Sequence, residues 1–169
     1  MKEVAELLNA MRDAGVISEY ALFGAVAHMR YTEPVATLVA DVLVAVPSPQ
    51  SLELLKPIYE FCAARGHRPE GEAIRVGAWP VQYVPVFSPL TQEALQEAET
   101  ADFEGIPLRV VRAGHLAAIA LSVGRAKDFA RLLGLLESGS VSRQQVARLA
   151  SRHGLADAWT RFEARFLND

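Results

Sequence analysis

One cysteine, Cys62, in 169 residues excludes an internal disulfide and any multi-cysteine zinc site. Its place in the apolar run from Ile58 to Ala64 reads as a packed helix position. Basic charge is also scarce. Seventeen Lys and Arg stand against twenty Asp and Glu, a formal net charge of -3, so the chain lacks the footprint that neutralises many phosphates, and extended DNA binding is not expected. No apolar run approaches the ~20 residues that span a bilayer, and the first residues are charged rather than a cleavable apolar segment. A cytoplasmic protein without membrane contact is the expectation.

Recognisable catalytic motifs are missing too. Ser18, Ser48, Ser88 and Ser122 lack a Gly-x-Ser-x-Gly context, and Gly24 alone is neither a P-loop nor a dinucleotide fingerprint. His28, His67, His115 and His153 lie far apart with no metal-ligand spacing, and are read as surface or capping residues. No repeat or low-complexity segment is visible. What is present is apolar content of 51%, enough for one full core, or for one core with a helical appendage.

The most strand-like stretch is Thr37 to Val46, and its one charged side chain is Asp41. Side chains at i and i+2 of a strand share a face, so Thr37, Val39, Asp41 and Leu43 point one way. An unpaired carboxylate buried among apolar neighbours costs several kcal/mol or takes up a proton. Asp41 is therefore expected at the strand's wet end or beside a partner.

Around it the periodicities predict a helix over Lys2 to Arg12 ended by Gly15, a short strand Tyr20 to Phe23 turning at Gly24, and a helix over Ser51 to Arg65. A hairpin follows, with Ala73 to Val76 and Val81 to Phe87 flanking Gly77 to Pro80. Prolines at both ends of the second run argue for an edge or a strand end. A short capped helix from Thr91 and a strand Ile106 to Val111 come next. Helices over Leu116 to Val123, Lys127 to Glu137, Arg143 to His153 and Ala156 to Phe166 complete the chain, with Ser142 and Gln145 spaced as a capping box. Strands interleaved with helices, then a helical tail, indicate an α+β (mixed α/β) fold.

Two stretches carry a family resemblance. Tyr20-Ala-Leu-Phe-Gly24 through Val46 resembles the signature of the polymerase-beta-like nucleotidyltransferase superfamily, especially its AbiEii/AbiGii toxin-like branch. In that pattern a glycine turn precedes Thr-x-Asp-x-Asp. Thr37 and Asp41 match it, whereas Val39 stands at the first aspartate. The second stretch, Ile106 to Arg131, is similar to the module in which Gly-Arg-x-Lys-Asp opens a helix, matched by Gly124, Arg125, Lys127 and Asp128. Gly114 or His115 replaces an acidic residue at the preceding helix start, and Ala120 replaces a lysine within it.

The resemblance spans about residues 18–137. It implies a nucleotidyltransferase-like core over 1–137, a small mixed sheet flanked by helices, with a helical segment over 138–169 packed on it. It also implies transfer of a nucleoside monophosphate from an NTP to a protein or RNA acceptor. Asp41 is then the catalytic and metal-binding carboxylate, Gln82 stands where a third carboxylate is usual, and Gly24, Thr37, Arg125 and Lys127 bind the nucleotide. Two-metal catalysis requires several carboxylates, so Mg²⁺ is expected to bind weakly or only with nucleotide. Two alternatives stand beside this reading. The chain is a catalytically inactive nucleotide-binding or protein-interaction module, of the kind a toxin-antitoxin system contains. Residue by residue, Asp41 is a solvated or salt-bridged strand-end carboxylate, and Arg125 and Lys127 pair with Asp128 and nearby acids to hold two helices together.

Overall fold

Val4, Leu7, Leu8 and Met11 recur at helical spacing, and in the computed structural model all four are buried on one face of α1 (Lys2–Asp13). Residues 1–33, 39–49 and 53–168 are described. After α1 come β1 (Glu19–Phe23), α2 (Gly24–His28), β2 (Ala40–Ala45), α3 (Lys56–Ala64), β3 (Arg68–Glu70), β4 (Ala73–Val76) and β5 (Trp79–Pro85). The second half holds α4 (Pro89–Gln96), β6 (Glu99–Phe103), β7 (Ile106–Val110), α5 (Ala113–Val123), α6 (Ala126–Glu137), α7 (Arg143–Arg152) and α8 (Ala156–Phe166). Mixed α+β is the class.

One seven-stranded sheet runs in the order β3-β4-β5-β2-β1-β7-β6. Its inner pairs are β1 with β2 antiparallel, and β2 with β5 and β1 with β7 parallel. β2 lies at the centre, so its Val42, Leu43 and Val44 are wholly buried on both faces, as a continuous apolar run in a covered strand requires. Asp41, its second residue, is half-buried at the strand's end.

Several expectations need correction. β5 is an interior strand between β4 and β2, so of the two readings drawn from its prolines the edge fails and the strand end holds. Pro80 and Pro85 sit at its second and last positions, where few ladder donors are required. Trp79, read as a loop residue, pairs with Val76 across the turn. The helix expected from Thr91 begins at Pro89, because Ser88 caps it: its hydroxyl accepts from the Thr91 backbone, and the Thr91 hydroxyl accepts from the Ser88 backbone. The capping box at Ser142 and Gln145 is present as expected. Thr37 lies outside the described residues.

α5 is apolar on nearly every side, with His115 to Leu121 all buried. Such a helix must be covered all round; it packs against α2, α4, α6, α7 and α8. Burial of a side chain such as Leu116, 1% exposed, contributes about 1.5–3 kcal/mol. Val146 and Ala150 of α7 and Trp159 and Phe162 of α8 join the same core, and Trp159 stacks on Phe162 at 5.6 Å between ring centroids.

Candidate functional site

Asp41 is placed by its neighbours in the sheet. It pairs in register with Phe23 on β1 and with Gln82 on β5, so the Asp41 carboxylate and the Gln82 amide sit side by side on adjacent parallel strands. β1 ends at Phe23 and the chain turns at once into α2. Gly24 makes that turn with φ +64, and a Cβ there would overlap the Asp41 carboxylate. Only glycine meets both demands, the left-handed backbone and the close approach of the acid.

From the other side of the cavity come the cations. Gly124 (φ +71) closes α5 in the left-handed conformation, and the chain restarts immediately as α6 with Arg125 at its N-cap. Arg125 Nε donates to Asp128 Oδ2 at 2.6 Å and Arg131 Nη1 lies 3.5 Å from Asp128 Oδ1. Asp128, itself buried, thus holds two guanidinium groups beside the first turns of α6. The pairing is within α6, not a clamp between two helices. Among the described residues Lys127 makes no ion pair.

These elements enclose a cavity of about 410 Å³ lined by Gly24, Val39, Asp41 and Gln82 from the strand side and Arg125, Lys127 and Arg131 from α6. Every described residue singled out in the sequence as a candidate therefore meets in one place. Ala120, at the position of a lysine in the resembling module, also lines it. Burial raises the Asp41 carboxyl above its ordinary value, opposed by the charges of Arg131, Lys127 and Arg125. Desolvation thus outweighs three cations, and among the described residues no hydrogen bond to the carboxylate offsets it.

His28 was missed. Read from the sequence as a surface or capping residue, it is 3% exposed in the wall of the same cavity. Its Nδ1 lies 2.7 Å from the Gly24 carbonyl, to which it can only donate, while Nε2 is buried without a partner among the described residues. Burial lowers its pKa, aided by Arg131 and opposed by the Gly24 carbonyl and Asp128. The ring is neutral at pH 7 and carries a bare lone pair on Nε2. Its position one turn after Gly24 was the only signal available.

No family model matches the chain, and no curated protein does. Solved structures do. The solution structure of the antibiotic-resistance factor ANT(2'')-Ia is similar, with TM-score 0.54 at 12% identity over 97% of this chain and 97% of that one. So is an antigenic nucleotidyltransferase-like protein from Paracoccidioides brasiliensis, with TM-score 0.52 at 12% identity over 99% and 98%. The crystal structure of ANT(2")-Ia in complex with adenylyl-2"-tobramycin gives TM-score 0.50 at 11% identity, over 96% and 97%.

The fold is nucleotidyltransferase-like.

On this nucleotidyltransferase-like frame the cavity's donor set does not fit a resident pair of divalent cations. Among the described residues Val39 and Gln82 leave Asp41 as the one lining carboxylate outside an ion pair, and three cations face it. Two metals need several carboxylates to hold them. Donors close enough for a metal lie elsewhere: Glu93, Glu97 and His115 have ligand atoms within 4.8 Å of one another. Their cavity shares no lining residue with the first. Among the described residues no helix is long and apolar enough to cross a membrane.

Proposed function

We propose that the cavity binds a nucleoside triphosphate, with the phosphates on Arg125, Lys127 and Arg131 and the reacting end toward Asp41. The observation that carries this reading is the meeting, on a nucleotidyltransferase-like fold, of the Gly24–Asp41–Gln82 cluster with the cations of α6 across one 410 Å³ cavity. Two guanidinium groups and an ammonium beside a helix N-terminus suit a polyanion by charge and by oriented N–H groups. The acceptor of a transferred nucleoside monophosphate is a protein or an RNA, following the AbiEii/AbiGii-like resemblance. Any Mg²⁺ arrives with the nucleotide, since Asp41 and Gln82 alone offer one charge.

A second reading, an inactive nucleotide-binding module, is favoured by Val39, whose place in the cavity wall puts an apolar side chain where a second carboxylate is needed. Incubating the chain with radiolabelled NTP, Mg²⁺ and candidate RNA or protein acceptors separates the two. Labelled acceptor that disappears with Asp41→Ala supports transfer. Binding without label in the parent, and label appearing once Val39→Asp restores a second carboxylate on the Asp41 face, supports a disabled enzyme. Label unaffected by Asp41→Ala removes this cavity from the chemistry.

A further inference from the structure

Glu93 on α4 and Glu97 at its C-cap are one helical turn apart, so their carboxylates rise from one face. α5 packs against that face and presents His115, and the C-cap of α7 brings His153. His115 Nε2 lies 3.2 Å from Glu93 Oε1 and 4.0 Å from Glu97 Oε2, and His153 Nε2 lies 2.8 Å from Glu93 Oε2. A tetrahedral ion with bonds of about 2.0–2.2 Å has ligand-to-ligand edges near 3.4 Å; the ligand atoms of Glu93, Glu97 and His115 lie within 4.8 Å of one another, while His153 holds the second oxygen of Glu93 from outside that group. Both imidazoles are buried, with side chains 5% and 8% exposed.

We propose that Glu93, Glu97 and His115 form a Zn²⁺ site between α4 and α5, with His153 orienting Glu93 from the C-cap of α7. One imidazole nitrogen with two carboxylate oxygens, and a water in the fourth position, suits zinc, whereas Mg²⁺ takes oxygen donors and keeps its waters. The two carboxylate charges are neutralised by one dication. Among the described residues one cation competes directly for a donor atom: the Arg152 guanidinium bonds Glu93 Oε1 at 2.5 Å, but its side chain is 58% exposed and can swing into water. Arg112 and Arg148 line the same cavity and balance part of its charge before the ion enters, and Glu99, also in its wall, is paired with Arg30. The site ties the helical segment beyond residue 138 to the sheet's own helices, and it stands apart from the nucleotide cavity.

Thermal melts and calorimetry of the full chain with ZnCl₂, and with MgCl₂ as control, test this. One Zn²⁺ per chain is expected, raising the melting temperature by about 5–10 °C at a hundredfold excess over the dissociation constant, with no such effect of Mg²⁺. Glu97→Gln keeps the fold, since Glu97 is exposed, and abolishes most of the shift, whereas His153→Gln, which only frees the second oxygen of Glu93, reduces it in part. Arg152→Gln binds zinc more tightly because the competing guanidinium is gone, and Asp41→Asn leaves the zinc shift unchanged. The proposal is overturned by the absence of a zinc shift in the parent chain. A shift that survives Glu97→Gln overturns it equally, because the ion then sits elsewhere.

Discussion

Among the described residues Asp41 is held in place by the sheet rather than by a partner of its own, and that predicts an unusual response to neutralisation. Its pKa is raised by burial in spite of Arg131, Lys127 and Arg125, so the ionised form is penalised in the folded state. A carboxyl with a raised folded-state pKa contributes stability below its unfolded pKa and loses it as pH rises through the folded value. Asp41→Asn should therefore be neutral or stabilising at pH 7, and the gap to the parent should close on acidification below the carboxyl range. Denaturant melts across pH decide it; a clear loss at pH 7 would mean that the charge is paired. Gly24 gives the companion prediction. Gly24→Ala must adopt a left-handed backbone, costing about 1–2 kcal/mol, and must also displace the Asp41 carboxylate. In a double-mutant cycle Asp41→Ala should recover the second part and not the first. Additive losses would place the two residues out of contact.

At the scale of the element, α6 begins against its own electrostatics. Cations near a helix N-terminus oppose the macrodipole, by about 0.3–1 kcal/mol where exposed, and α6 opens with Arg125 and Lys127, offset by Asp128 at its third position. A helix selected for stability alone would place acids there. Lys127→Gln is thus expected to raise stability by a few tenths of a kcal/mol while weakening nucleotide binding, a split measured by melts and by calorimetry on the same protein. Stability and affinity falling together would assign Lys127 to the fold. α6 was legible in the sequence because Gly124 stops one helix and Arg-Ala-Lys-Asp starts the next. β3 and β6 were not. Arg68–Glu70 is three exposed residues with a central proline, and Glu99–Phe103 holds two acids and shows no fully buried position. Each is extended only because an antiparallel neighbour, β4 or β7, supplies its hydrogen bonds.

For the whole molecule, what could be read locally and what could not divide along the same line. Asp41, Gly24, Gln82, Arg125 and Lys127 each stood out from turn chemistry, alternation or motif, and the sheet order then brings segments about 85 residues apart around one cavity. The buried histidines were misread for the converse reason. Nothing near His115 in the chain announces Glu93, 22 residues away, and only the packing of α5 on α4 joins them; a lone histidine on an apolar helix carries no sign of its partner. The prolines of β5 misled because propensity describes a strand's own donors, whereas strand order is set by which faces must be covered. The division of labour is plain: strands fix the acid, and two helices with a glycine between them deliver the cations. Binding of nucleotide phosphates by those cations is tested most directly by calorimetric titration of ATP, without divalent cation, into the parent chain and into Lys127→Ala and Arg131→Ala. Saturable binding to the parent, weakened about 10–100-fold by either substitution as one charge-assisted bond is lost, is the predicted result. Equal affinity in all three proteins, or no binding to the parent with or without Mg²⁺, would contradict it.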